Sequence, residues 1–162
     1  MKAQLRILVL VLNLGALLLL IAPAAAQTDI YRDASQPIEA RIDDLLARMT
    51  LEEKIGQMTL VAEDSLDPQA VFDYFIGGVL SGGNDEPNVN TPEGWLEMVT
   101  EFQDAALDTR LGIPLIYGID AVHGHNNVIG ATIFPHNIGL GATRNAELVE
   151  QIGAATAAEM MA

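Results

Sequence analysis

Three short apolar runs, MTLV (58–61), VLS (79–81) and PLIYGI (114–119), constrain this chain more than any other feature. Segments whose apolar residues recur at helical spacing separate them. Parallel strands need a crossover element between them, so strand–helix–strand–helix–strand is the rhythm of a parallel α/β protein. The runs are continuous rather than alternating, as expected where helices cover one side of a sheet and a packed interior covers the other. A (β/α)8 barrel and an open doubly wound sheet both fit this spacing. No G-x-G-x-x-G follows any of the runs, and SGGN (81–84) lacks the Lys-Ser/Thr of a phosphate loop. A dinucleotide or phosphate site therefore has no support, and SGGN reads as a tight turn.

The helical segments carry their own start signals. Ile38, Ile42, Leu45, Leu46 and Met49 share one helical face, after an extended lead-in over 27–37. TLEE (50–53) is a capping box, in which the Thr50 hydroxyl and the Glu53 carboxylate satisfy each other's exposed amides. It predicts a short helix from Leu51 to about Gln57. Asp67 and Pro68 open a second helix, which the Gly77–Gly78 pair is expected to end. Thr91–Pro92 opens the longest, with Trp95, Met98, Val99, Phe102 and Ala106 as its apolar stripe and Gly112 with Pro114 as its stop. A last helix runs from about Ala146. It ends AAEMMA, without a Gly, Asn or Pro stop, and an eight-stranded barrel takes about 250 residues. The expected fold is thus α/β, the first part of a (β/α)8 TIM-like barrel truncated after about three strands.

Residues 1–26 read as a signal peptide rather than as fold. Lys2 and Arg6 precede an apolar run from Ile7 to Ala22, and Ala24 and Ala26 fill the small-residue positions before a cut at Gln27. The run is short for a membrane span, so no membrane anchor is expected after cleavage. Residues 27–162 would then form an exported polypeptide, periplasmic or secreted. The chain has no cysteine, which excludes a disulfide and a lipid anchor on cysteine. A formal charge of −14 argues against nucleic acid and anionic lipid as partners.

The chemistry-bearing residues gather in YGIDAVHGHNNV (117–128). Asp120 directly follows the third apolar run, and residues at the carboxyl ends of parallel strands face the ligand crevice. His123 and His125, at i and i+2 in an extended segment, would point the same way and could share a zinc or iron. That reading needs further ligands, and His136 is the one other histidine. The alternative is that His123, His125, Asn126 and Asn127 hydrogen-bond a convoluted loop and shape a pocket wall.

LLARMTLEEKIGQM (45–58), GGVLSGG (77–83) and TRLGIPLIYGIDAVHGHNNVIGATIFPHNIGLGATRN (109–145) closely resemble the start of glycoside hydrolase family 3, in particular its β-glucosidase and exo-β-glucanase members. The resemblance implies a (β/α)8-like domain followed by an α/β sandwich domain. It implies release of terminal, non-reducing β-D-glucose by a retaining mechanism, with an aspartate nucleophile and a glutamate acid/base. Both positions fall beyond Ala162, in a C-terminal part of the same polypeptide, so no catalytic residue is expected within this chain. Asp120 matches the family aspartate that holds sugar hydroxyls in the −1 subsite, with His123, His125 and Asn126 as pocket-shaping residues. No metal and no cofactor is implied. Two other readings stand beside this one: a metal-dependent hydrolase using His123 and His125, and a secreted sugar-binding module without catalytic carboxylates.

Overall fold

The computed structural model describes residues 29–161, so the leader expected over 1–26 lies outside the described residues. The described chain falls into two compact units that divide after Arg48.

In the first unit, Ile30–Arg32 forms a 3-10 turn in place of the expected extended lead-in, and helix α1 spans Ile38–Arg48. The turn is held by side chains distant in sequence. The Tyr31 amide donates to Asp44 at 3.1 Å, and Arg41 Nε donates to the Tyr31 carbonyl at 3.0 Å. Arg48 pairs with both Asp29 and Asp44. Nothing within residues 27–37 encodes those partners, which is why local pattern misses the turn.

In the second unit, the Thr50 capping box opens α2 (Leu51–Gln57) as predicted. Glu53 N donates to Thr50 Oγ1 at 3.2 Å, and Thr50 N donates to Glu53 Oε2 at 2.8 Å. Strand β1 is Leu60–Ala62, two residues later than the apolar pattern suggests. Met58 and Thr59 still donate backwards to Ile55 and Gly56 carbonyls, so the helix end consumes them. Helix α3 (Pro68–Tyr74) starts at the expected cap, with Ala70 N on Asp67 Oδ1 at 2.8 Å. It is not ended by Gly77–Gly78. Phe75, in the left-handed conformation at φ 58, turns the chain, and Gly78 already belongs to β2 (Gly78–Ser81). The room for this turn comes from Gly56, where a Cβ would lie 2.2 Å from the Tyr74 carbonyl oxygen.

Helix α4 (Pro92–Leu107) begins with Thr91 Oγ1 accepting from Gly94 N, as the Thr-Pro signal predicts. Strand β3 is Ile116–Ile119, shorter than PLIYGI. Leu115 leaves the ladder because Gln103 clamps it from α4, its Oε1 accepting from Leu115 N and its Nε2 donating to Leu115 O. Two helices complete the unit, α5 (Asn137–Ala142), which the glycine-rich sequence hides, and α6 (Ala146–Met160), which the sequence predicts.

The three strands form one parallel sheet in the order β1-β2-β3. Register places Leu60, Gly78 and Ile116 in one row, Val61, Val79 and Tyr117 in the next, and Ala62, Leu80 and Gly118 in a third. Side chains alternate across a strand, so consecutive rows face opposite sides. The Val79 row packs on a core of Val71 and Ile76, with Phe102 and Ala106 of α4 and Leu115. The Leu60 row is open: Leu60 is 62% and Ile116 76% exposed. Among the described residues, the expectation of strands covered on both faces is met on one face only.

Candidate functional site

Asp120 extends the ladder by one residue, its amide donating to the Ser81 carbonyl at 3.0 Å. Alternation from Tyr117 puts Gly118 and Asp120 on the open face of the sheet. The Asp120 side chain is exposed, and among the described residues no hydrogen bond or ion pair engages its carboxylate. An ionised carboxylate at the carboxyl end of a strand, with its lone pairs unused, is a ready acceptor for hydroxyl groups.

The helix side of the same strand ends is differently built. The Tyr117 hydroxyl and the fully buried Ser81 Oγ lie 2.5 Å apart. Burial pushes the Tyr117 phenol up; the Ser81 contact opposes this, and Glu63 and Asp85 add to it. Glu63, just past β1, is likewise pushed up by burial and then by Asp85 and Asp64. Asp85 is itself tied to the loop after β2, accepting from Gly82 N at 2.7 Å.

The two histidines do not act as a pair. Gly124 between them has φ +98, so the segment is turned rather than extended. A Cβ at Gly124 would lie 2.0 Å from the Thr132 carbonyl oxygen, and this close approach needs glycine. His123 Nδ1 lies 2.9 Å from the Phe134 carbonyl, while Phe134 N donates to the His123 carbonyl at 2.7 Å. A carbonyl can only accept, so Nδ1 is the donor in this contact. The His123 ring packs against His136, with centroids 4.2 Å apart and the planes tilted by 46°.

His125 instead lies 6.4 Å from the Trp95 ring, and its buried Nδ1 has no partner among the described residues. Burial holds its pKa below the ordinary value, and the charge of Glu159 opposes this. The geometric premise of a shared metal therefore fails: the rings meet different neighbours. Among the described residues, no three His, Cys, Asp or Glu side chains cluster as a ligand set.

The asparagines organise the loop. Val122 N donates to Asn126 Oδ1 at 3.0 Å, and Asn126 Nδ2 donates to Asn127 Oδ1 at 2.8 Å. Asn127, 8% exposed, points its Nδ2 at the Gly82 and Asp120 carbonyls, at 3.4 and 3.5 Å. The alternative of a hydrogen-bonded loop thus holds for His123, Asn126 and Asn127. The pattern also depends on side chains that sequence reasoning does not single out. Asn90 reaches it from the loop before α4, and Glu159 of α6 accepts from Thr132 N and Thr132 Oγ1. Asn90 is one polar residue among several in NDEPNVN, so no local signal distinguishes it.

The chain is a parallel α/β unit with a carboxylate at a strand's carboxyl end, the end at which folds of this class place their ligand sites. Residues 50–162 match the Glycosyl hydrolase family 3 N terminal domain, and the chain belongs to that family. A lysosomal beta glucosidase of Dictyostelium discoideum is 38% identical over 125 residues, covering 65% of this chain and 15% of that protein. Probable beta-glucosidase C of Aspergillus oryzae is 34% identical over 152 residues, covering 83% of this chain and 24% of that protein. The crystal structure of an exo-1,3/1,4-beta-glucanase from a Pseudoalteromonas species superposes with a TM-score of 0.68. It is 44% identical and covers 80% of this chain and 17% of the glucanase. The three parallel strands and their helices have the architecture of the opening part of a (β/α)8-type domain in such glucanases. The chain thus spans less than a quarter of the length of these relatives.

Proposed function

We propose that this chain is the opening part of an exported, retaining β-glucosidase that releases terminal β-D-glucose from β-glucosides or short β-glucans. The observation that carries the reading is Asp120, an exposed carboxylate without a partner among the described residues, on the open face at the end of β3. Neighbouring sugar hydroxyls are paired donors, and one ionised carboxylate accepts two of them in a bidentate, charge-assisted grip. Such a grip orients the ring for attack at its anomeric carbon. Asp120 is a substrate-binding residue in this reading, and His123, His125 and Asn126 shape the wall beside it. Retaining hydrolysis needs two carboxyl groups about 5–5.5 Å apart across the scissile bond. Those two groups belong to a C-terminal part of the same polypeptide, which also closes over the open face of the sheet.

Export rests on the leader pattern of residues 1–26, with Gln27 as the mature N-terminus and a periplasmic or secreted destination.

Asp120→Asn in the full-length enzyme tests the site. The amide keeps the shape but loses the second hydroxyl acceptor and the charge. The expected cost is about 2–4 kcal/mol in transition-state binding, read as kcat/KM on an aryl β-glucoside with an unchanged melting temperature. A variant with near-normal kcat/KM ends the assignment.

A further inference from the structure

We infer that Asn90 is a positioning residue for Asp120, acting through the loop that follows β3. This rests on the reading of Asp120 as the sugar-binding carboxylate.

Asn90 lies in the loop between β2 and α4, 30 residues before Asp120, and has no place in the site by sequence. Both ends of its amide are engaged. Its Oδ1 accepts from Trp95 Nε1 at 3.0 Å and from Ile129 N at 3.2 Å. Its Nδ2 donates to the Asn127 carbonyl at 2.9 Å, with a longer 3.4 Å approach to Glu86. One side chain thus fixes residues 127 and 129 of the β3 loop to the buried indole at the start of α4. Asn127 passes the constraint on, its buried amide lying at the limit of hydrogen-bond range from the Asp120 and Gly82 carbonyls.

The carboxylate itself has no side-chain partner among the described residues, so backbone placement sets its position. Through Asn127, Asn90 couples that placement to the indole at the start of α4. Only an amide can do this. The site needs one oxygen accepting from two N–H groups and one nitrogen donating to a carbonyl on the same planar group. Small misplacements of a binding group cost large factors in rate, so loss of this amide should be felt at the reacting sugar.

The test is a double-mutant cycle in the full-length enzyme, with Asn90→Ala, Asp120→Asn and both together, on an aryl β-glucoside. Asn90→Ala is expected to lower kcat/KM roughly 10- to 100-fold. In the Asp120→Asn background the same change should cost less than about threefold, because the group it positions has already lost its function. A merely structural role predicts equal factors in both backgrounds, and equal factors overturn the proposal, as does a wild-type-like Asn90→Ala. If Asp120→Asn retains near-normal kcat/KM, the Asp120 reading itself fails and takes this proposal with it. Should Asn90→Ala give no folded protein, Asn90→Asp enters the same cycle. It keeps the oxygen that Trp95 and Ile129 use and replaces only the donor to Asn127.

Discussion

The two faces of the sheet are made by the same three strands, yet they have opposite fates. On one face Val79 is fully buried among Val71, Phe102 and Ala106, with Val61 and Tyr117 packed alongside. On the other, Leu60 and Ile116 are mostly exposed, and Asp120 stands at the end of the strand with its carboxylate unused. Both faces are apolar in sequence, so apolar content alone does not say which is closed. The partner decides it: α3 and α4 supply one within these residues, and nothing described here supplies the other. An apolar strand face left open is a place for further chain or for aggregation, and a free carboxylate above it is a place for ligand.

The largest effect that can break this comparison is loss of the soluble fold. Residues 27–162 expressed alone are expected to aggregate or to bind an apolar fluorescent dye, because burial on one face at about 25 cal/mol per Å² competes with chain entropy of about 1–2 kcal/mol per residue. A monomeric, cooperatively unfolding product would show that the open face needs no cover.

In the full-length protein, Phe102→Ala removes the centre of the closed face and should cost about 3–5 kcal/mol by denaturant unfolding. Ile116→Ala probes the open face there. At 76% exposure it would cost almost nothing if that face stays open, but about 2–5 kcal/mol if the rest of the polypeptide covers it. A near-zero cost would sink the proposed closure while leaving the family assignment intact.

The smallest expected effect lies at the base of the helix layer. Glu53 is 4% exposed, and its side chain accepts from Arg110 as well as from Thr50. Burial pushes its carboxyl up, but the Arg110 guanidinium and the Thr50 amide outweigh this and hold it below the ordinary range. A depressed carboxyl contributes stability that is present above the unfolded value and lost as pH falls through the folded one. Arg110→Met should therefore lower stability by about 1 kcal/mol at neutral pH, a modest figure because the guanidinium side of the pair is 55% exposed. The gap between variant and wild type should narrow below about pH 4.5. A gap independent of pH would show that packing of the Arg110 stem, not its charge, matters there.

Helix starts were legible because their causes are local. Thr50 and Glu53 satisfy each other's amides, Asp67 and Thr91 accept from the amides of Ala70 and Gly94 three residues on, and each opens a helix where the pattern puts it. The place of Asp120 at a strand end was legible for a related reason, since it directly follows an apolar run that reads as a strand. Boundaries decided by distant partners were not. Leu115 is withheld from β3 by Gln103, and Tyr31 is held by Asp44 and Arg41. The end of α3 depends on Phe75 adopting φ 58 over a cramped Gly56. The alternative in which His123 and His125 share a metal loses its geometric premise, because Gly124 at φ +98 turns the segment and the rings meet different neighbours.

By itself the sequence determined the strand–helix rhythm, the helix caps, the family and the position of Asp120. These follow from hydrogen bonds and periodicities that span a few residues, or from motifs read as strings. Only the tertiary structure decided which face of the sheet is closed, where the histidine rings go and that Asn90 grips the loop beyond β3. Those outcomes depend on groups far apart in sequence meeting, by apolar packing for the sheet face and at hydrogen-bond distance for His123 with Phe134 and Asn90 with Ile129. The two pairs lie 11 and 39 residues apart, and no local pattern carries that distance.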